Sequence, residues 1–349
     1  MSNATHCYAK ANILKEIFSE LSQRDLNKCV FVNRQWSKVA VPLIWRRPFS
    51  GPDEKCQKII HTLFTLIPEG GATSRIFNRG LLLSLGIKLP VNNPNPCFPY
   101  PSFIQDLAYG ELISSIKKSG VLEVENKKQD SLALWFALTV VLEVFKDYGV
   151  SLHSINFKMQ KNDLDWRLCH LIVNQQFSSL ISNLKSVTLV DYFPKEPLYL
   201  QLAKTCKNLE KIYVWTLGEP RNKVQKARKN LAYLISSQRH LKHLEISYVH
   251  GHSAPLMQSL ASQAKTLRHF RMYNVNFDKC CPWDALAECK QLETLEILAY
   301  HKVNENMVRP LTNAINQMNN LKIIDFIPYS KEEECASLQK LQNILNEVL

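Results

Sequence analysis

The sequence predicts an α/β fold: an α+β solenoid in which short strands alternate with helices, preceded by a three-helix unit and a helical connecting region. Three observations predict it. A leucine-led segment recurs through the C-terminal half, and segments with helical apolar spacing lie between the copies. Short helical patterns also follow one another over residues 12–48, before any of these copies.

The recurring segment begins with leucine and has apolar residues at its fourth and sixth positions. This alternation is what a short strand with one buried face requires. The copies are LHSINF (152), LKSVTL (184), LEKIYV (209), LKHLEI (241), LRHFRM (267), LETLEI (292) and LKIIDF (321). A spacing of about 20 to 29 residues is typical of leucine-rich repeats. We therefore predict about seven such repeats over residues 146–349, forming an irregular horseshoe.

Helices are predicted between the strands because apolar residues recur there at three- and four-residue spacing. Pro255, Pro282 and Pro310 stand where these helices should begin, a position that proline favours. A strand and a helix cannot bury their apolar sides alone, so neighbouring repeats would stack into one core. The alternative is an ordinary α/β domain with coincidental leucines.

At the N-terminus, NILKEIFSEL (12–21) has an apolar stripe at helical spacing. Ser22 and Asp25 suit the cap of a second helix, RDLNKCVFVN, and a third, RQWSKVAV, should end or kink at Pro42. A unit this small buries little surface by itself, which suggests a partner surface.

The stretch EIFSELSQRDLNKCVFVNRQWSKVAVPLIWRRP resembles the F-box, the adaptor-binding motif of ubiquitin-ligase substrate receptors. The matching features are Ile-Phe-x-x-Leu, Ser-x-x-Asp-Leu, Val32 with Asn33, the Arg34–Trp36 element and the terminal Leu-Ile-Trp. The stretch is most similar to the expanded F-box-like families of fungi. We assign the motif to residues 8–48.

The resemblance implies that these helices dock a Skp-type adaptor, which links to a cullin, while the repeats hold a substrate protein for ubiquitin transfer. In such an SCF-type ligase the receptor is not an enzyme; it raises the local concentration of substrate. The residues expected to bind the adaptor are Ile13, Leu14, Ile17, Phe18, Leu21, Leu26 and Val30. The alternative is a three-helix unit that packs only on its own chain.

Residues 49–145 are predicted to be a helical connecting region. Within it, LPVNNPNPCFPYPS (89–102) is rich in proline and asparagine and indicates an extended loop. KCQKIIHTLFTLI and FIQDLAYGELISSIKKSG should be helical, and ENKKQDS (125–131) should be an exposed turn or loop.

Composition indicates a soluble protein of the cytoplasm, the nucleus or both. No secretory leader or apolar run of membrane-spanning length is seen, so no membrane partner is expected. The ten cysteines are scattered, which favours reduced thiols, and Cys280, Cys281 and Cys289 form no CxxC pair. The net charge of +12 is dispersed, and its densest run is RNKVQKARKN (221–230), so a nucleic-acid partner is not expected.

No catalytic or cofactor motif is found: there is no GxxxxGK[ST], GxGxxG, GxSxG or HExxH. His240, His243, His250 and His252 have a spacing that superficially suits a metal. The repeat register instead places His243 on the exposed side of a strand, His240 before it and the others in the next loop, so neither a metal nor a cofactor is predicted.

The repeat register does predict a binding face. Positions three, five and seven of each copy should point to the concave side, which solenoids use for partners. Tyrosine, tryptophan and arginine are common in interface hot spots. The residues expected to bind substrate are Tyr213, Trp215, His243, His269, Arg271 and Tyr273.

Two functions therefore stay open. One is the substrate receptor of a cullin-based ubiquitin ligase; the other is a leucine-rich-repeat scaffold without a ligase role. A basic repeat protein that binds nucleic acid is a third class, which ranks below both.

Overall fold

The computed structural model describes residues 12–67, 79–90, 96–123, 127–158, 166–191, 196–216, 224–247, 254–275, 283–299 and 305–328. The chain divides into two compact units, Met1–Ile155 and Asn156–Leu349. The first predicted repeat segment, LHSINF, straddles this division.

The first unit is mainly helical. Its helices are α1 (12–19), α2 (Gln23–Cys29), α3 (Arg34–Trp45), α4 (Asp53–Thr65), α5 (Arg79–Ser84), α6 (Tyr109–Lys118) and α7 (Lys127–Asp147). Two short strands, β1 (Asp106–Ala108) and β2 (Ser154–Asn156), and a 3₁₀ turn, Tyr100–Phe103, complete its regular structure in the described ranges. The predicted helix over KCQKIIHTLFTLI is confirmed by α4.

The end of α3 is fixed to the segment that leads into β1. The backbone oxygen of Arg46 accepts hydrogen bonds from the amides of Gln105 (3.1 Å) and Asp106 (3.0 Å). Arg47 Nε lies 2.6 Å from the Asp106 carboxylate, and Trp45 stacks on Tyr100 with ring centroids 4.8 Å apart. Trp45 is therefore a packing residue.

Four helix boundaries differ from prediction in this unit. Helix α2 ends at Cys29, although RDLNKCVFVN was predicted to be helical to Asn33, and a turn follows it before the cap of α3. Helix α3 passes through Pro42 to Trp45, because the proline removes only one backbone hydrogen bond and the exposed Lys38 leaves its carbonyl near water. Helix α7 begins at Lys127, so most of ENKKQDS is helical. A polar, hydrated stretch suits the first turn of a helix, because the amides there have no hydrogen-bond partner within the helix. FIQDLAYGELISSIKKSG includes β1 before α6.

The second unit alternates strands and helices. Its elements are α8 (Trp166–Leu171), α9 (Ser178–Ile181), β3 (Ser186–Asp191), α10 (Glu196–Thr205), β4 (Lys211–Thr216), α11 (Val224–Ser236), β5 (His243–Ser247), α12 (Ala254–Leu260), β6 (His269–Val275), α13 (Asp284–Ala287), β7 (Thr294–Ala299), α14 (Glu305–Ile315) and β8 (Ile323–Pro328). Strands β3 to β8 pair in chain order, and every pair is parallel.

The register of the sheet stacks the apolar positions of successive copies. One row joins Val187, Ile212, Leu244, Phe270 and Leu295, all of them buried. The leading leucines are buried in six copies, at 152, 184, 209, 241, 267 and 292. Burial is thus confirmed at these leading leucines and at the fourth and sixth positions of β3 to β7. The fourth and sixth positions are buried together because residues two apart in a strand share one face.

Charged side chains form a second row, the charge row, just before the first residues of the strands; its members are Lys185, Glu210, Lys242, Arg268, Glu293 and Lys322. Glu210 lies between Lys185 (3.4 Å) and Lys242 (2.8 Å). Glu293 likewise lies between Arg268 (2.5 Å) and Lys322 (3.6 Å). Each of these residues directly follows the leading leucine of its copy.

The prolines of this unit have different positions in their helices. Pro255 is the second residue of α12, as predicted for a helix start. Pro282 lies outside the described residues. Pro310 is inside α14, so its predicted position at a helix start is wrong. Burial of Leu311, Ala314 and Ile315 beyond it offsets the lost hydrogen bond.

No helix in the described ranges is long and apolar enough to span a bilayer.

Candidate functional site

The first three helices enclose a small core of their own. Phe18, Leu26, Cys29 and Ala40 are buried together. Trp36 places its ring edge-on to Phe18, with centroids 5.0 Å apart. The partly buried residues that complete this core are Leu14, Leu21, Val30, Val39, Leu43 and Ile44.

Side-chain caps set the boundaries between these helices. Ser22 Oγ accepts a hydrogen bond from the Asp25 amide at 3.2 Å, which confirms the predicted cap. Asn33 Oδ1 accepts one from the Trp36 amide at 2.9 Å. Ser37 Oγ donates to the Val30 carbonyl at 2.6 Å and so ties α3 to the end of α2.

Much of the apolar material of this unit nevertheless faces solvent. Ile13 and Ile17, one turn apart on α1, are 56% and 53% exposed. Phe31 and Val32, in the turn before α3, are 87% and 55% exposed. Solvent-facing apolar side chains grouped in this way commonly indicate an interaction surface.

In the second unit, side chains from four neighbouring strands meet on the sheet face opposite the buried row. Register pairs His243 with His269, Tyr213 with Glu245, and Glu245 with Arg271. We call this set the strand-face cluster: Tyr213, Trp215, His243, Glu245, His269, Arg271, Tyr273 and Glu296. It includes all six residues predicted to bind substrate.

An arginine between two glutamates lies at the centre of the strand-face cluster. Arg271 Nη2 is 2.8 Å from Glu296 Oε1, and its Nη1 is 3.8 Å from Glu245 Oε2. Burial raises the pKa of Glu245, although Arg271 and Trp215 oppose that shift. Burial alone would lower the pKa of Arg271, but its hydrogen bond to Glu296 leads to a net rise. The arginine therefore stays charged and partly neutralises a buried carboxylate.

His243 is held neutral within the strand-face cluster. Its ring lies between those of Tyr213 (5.0 Å) and His269 (5.5 Å). Burial lowers the pKa of His243 to about 4, and the nearby His269 and Arg271 add to the effect. The sequence predicted an exposed His243; the flanking rings instead leave its side chain only 17% exposed.

The aromatic end of the strand-face cluster is the most open to solvent. Trp215 is 43% exposed and lies 5.9 Å from the Tyr273 ring, measured between centroids. Burial raises the pKa of Tyr273, and the charge of Glu245 raises it further. The cluster thus combines neutral aromatic surface with a fixed ion pair, a composition typical of protein-binding hot spots.

The comparisons with known proteins concern the first unit. Residues 12–50 match the family model described as F-box-like. The three N-terminal helices form an F-box-like domain. Comparison with curated proteins finds no significant match to the chain.

The residues predicted to bind an adaptor have different places in the F-box-like domain. Ile13 and Ile17 are exposed, whereas Phe18 and Leu26 belong to the core. The remaining three, Leu14, Leu21 and Val30, are partly buried against that core. Phe18 and Leu26 therefore hold the helices together.

The sequence prediction did not single out Phe31, and it named Val32 only as part of the F-box-like pattern, not as an exposed residue. A signal was present in the pattern. An apolar residue before an N-cap often packs on the fourth residue of the helix. Here Asn33 is the cap and that fourth residue is Ser37, so Val32 has no apolar partner of this kind.

The remaining candidate groups offer no metal site in the described ranges, where no set of three or more His, Cys, Asp or Glu side chains could hold an ion. His250, His252, Cys280 and Cys281 lie outside those ranges. Cys289 is buried, and burial raises its thiol pKa to about 12. It is therefore a packing residue.

Proposed function

We propose that this protein is the substrate-recognition subunit of a cullin-based ubiquitin ligase. Its F-box-like domain would dock a Skp-type adaptor, and its strand-face cluster would bind the substrate protein. The observation that carries the proposal is the F-box-like match at residues 12–50, together with four exposed apolar side chains in the same unit.

We also propose that the second unit is a leucine-rich-repeat solenoid. Support comes from the buried leading leucines and from one parallel strand, in chain order, for each of the six copies from 184 to 321. The strand-face cluster supports the substrate role because Trp215, Tyr273 and Arg271 are of residue types that dominate binding energies.

In this role the chain performs no chemistry. It tethers a substrate near the charged ubiquitin carrier and so raises the rate of an otherwise bimolecular encounter. A receptor of this type acts in the cytoplasm or the nucleus, where its adaptor and cullin are found.

The test is a pull-down of a purified Skp-type adaptor by the full chain. Ile13→Asp with Ile17→Asp should abolish binding, because both side chains are exposed and charge would enter an apolar interface. Leu26→Asp is a poor probe, since Leu26 lies in the core and its replacement would unfold the domain.

Lys15→Asp is the matched control, because Lys15 is exposed on α1 between the two isoleucines but on another side of the helix. It should leave binding intact. Failure of the full chain to bind the adaptor would reject the ligase role and favour the scaffold. Retained binding by the folded isoleucine variant would reject this docking face.

A further inference from the structure

The stretch of chain around helix α11 carries cations and no carboxylates. Residues 220–240 contain six Lys or Arg and no Asp or Glu, and residues 246–277 also lack acidic residues. The carboxylates of β4 to β6 and their entrances, Glu210 and Glu245, lie in the charge row and in the strand-face cluster. The cations of residues 220–240 thus have no acidic residue within their own stretch of sequence.

Helix α11 displays this charge on one face. Lys226, Lys229 and Tyr233 are exposed, and their spacing of three and then four residues places them along one side of the helix. Tyr233 is 48% exposed, although its neighbours Leu234 and Ile235 are fully buried. The outer face of α11 therefore presents an aromatic ring next to two lysines.

The adjacent helices extend this basic surface. Helix α11 packs against α10 on one side and α12 on the other. Lys204 of α10 and Lys265, just after α12, are both exposed. Because helices packed in a layer are about 8 to 10 Å apart, cations from the three elements are close enough to follow one extended polyanion.

We propose that this helical face, centred on Lys226, Lys229 and Tyr233, binds single-stranded nucleic acid. The lysines would contact phosphates, which supply the sequence-independent part of such binding. Tyr233 would stack on a base, which is possible only where bases are unpaired. A purely acidic peptide would pair with the lysines but offers Tyr233 no flat ring to stack on, whereas an unpaired base does.

This activity is independent of the F-box-like domain and of the strand-face cluster. Sequence analysis noted the run 221–230 but did not predict a nucleic-acid partner, because the other cations are dispersed along the chain. Folding places 224–230, the end of α10 and the segment after α12 in neighbouring elements. The grouping is therefore a property of the fold.

The test is a fluorescence anisotropy titration of the full chain with a labelled 20-nucleotide mixed-sequence RNA. Contacts to three or four phosphates predict a slope of roughly −2 to −3 for log affinity against log salt concentration. Tyr233→Ala should weaken binding about 5- to 100-fold, whereas Tyr233→Phe should retain it because phenylalanine also stacks.

Lys226→Glu with Lys229→Glu should abolish binding. Lys38→Glu with Lys58→Glu is the matched control: it changes the charge equally at exposed lysines of the first unit and should leave affinity unchanged. Circular dichroism checks the fold of each variant, and Lys226→Gln with Lys229→Gln replaces the first pair if it unfolds.

Four outcomes would overturn the proposal. An equal loss of RNA affinity in the Lys226/Lys229 and the Lys38/Lys58 double variants would indicate diffuse charge attraction. Equal affinity for the single strand and for the duplex of the same sequence would exclude base stacking. So would an RNA affinity that is unchanged in the Tyr233→Ala variant. Binding of a polyglutamate peptide as tightly as RNA, with no dependence on Tyr233, would assign the face to an acidic protein segment.

Discussion

The side-chain amide of Gln263 donates a 3.0 Å hydrogen bond to the backbone carbonyl of Gln238, and both side chains are buried. Gln238 makes the equivalent contact to the preceding repeat, where its side-chain amide donates to the Cys206 carbonyl at 2.9 Å. Cys206 in turn directs its thiol to the Ile181 carbonyl at 3.3 Å. A buried polar ladder therefore links successive helix–strand turns and satisfies carbonyls that would otherwise have no partner.

Replacing Gln238 by leucine should destabilise the second unit by about 2 to 4 kcal/mol. The change removes the acceptor of the Leu209 amide and the donor to Cys206, and leaving a buried group unpaired costs about 1 to 3 kcal/mol. Urea unfolding measures the loss. Gln201→Leu, on the exposed side of α10, should change stability by less than about 0.5 kcal/mol. Equal effects in the two variants would exclude a structural role for the ladder.

Phe31→Ala should weaken adaptor binding about tenfold or more without lowering the stability of the F-box-like domain. Its ring is 87% exposed, so the substitution leaves no cavity, whereas an aromatic anchor at an interface is commonly worth more than about 1 kcal/mol. Calorimetric titration with the adaptor and thermal melting give the two quantities. Phe18→Ala is the contrast: loss of this buried ring should cost about 3 to 5 kcal/mol of stability. Unchanged affinity in Phe31→Ala would place the turn outside the interface.

Arg271→Met should destabilise the protein at neutral pH by about 1 to 3 kcal/mol, less than for a fully buried pair because the arginine is partly exposed. The deficit should shrink as the pH falls. Burial already raises the pKa of Glu245, and without Arg271 the folded state would take up a proton at still higher pH. Thermal melts from pH 5 to 8 measure the trend.

Adding Glu245→Gln to the Arg271→Met variant provides the control for that prediction. The buried carboxylate is then absent, so the pH-dependent part of the deficit should disappear. A deficit that persists unchanged across the pH range would mean that Arg271 acts through packing alone.

His243→Gln should remove part of the acid sensitivity of the fold. The folded pKa of His243 is about 4, below its usual value of 6.5, so wild-type stability is present above 6.5 and is lost as the pH falls toward 4. At pH 5 this loss is about 2 kcal/mol. The free energy of unfolding, measured at pH 7.5 and at pH 5 for the variant and for wild type, gives the comparison. His240→Gln, at an exposed position, should leave the wild-type loss intact; an identical loss in His243→Gln would contradict the assignment.

The strands and the buried row were predictable because a period of two fixes which residues share a face. Leu244 and Ile246 are therefore correctly placed by sequence alone. The residues of the strand-face cluster follow from the same register, but the Arg271–Glu296 pair does not, since it depends on which strands become neighbours. The charge row was visible as a charged residue after each leading leucine from 184 to 321, a pattern that the prediction overlooked.

Other features could not be obtained from the linear pattern. The sequence does not distinguish a buried glutamine such as Gln263 from an exposed one. Its role depends on the positions of neighbouring carbonyls, which only the folded structure gives. Pro42 and Pro310 lie inside helices because burial of nearby residues, Ala40 and Val41 in α3 and Leu311, Ala314 and Ile315 in α14, outweighs a single lost hydrogen bond. The core positions of Phe18 and Leu26 likewise depend on how three short helices pack.

The exposure of Ile13, Ile17, Phe31 and Val32 also bears on the cellular abundance of this protein. A chain synthesised in excess of its partner would display these side chains to chaperones and proteases, which act on exposed apolar surface. Its abundance should then follow the supply of the partner more closely than the rate of its own synthesis. We therefore expect a higher degradation rate when the adaptor is absent than when it is present.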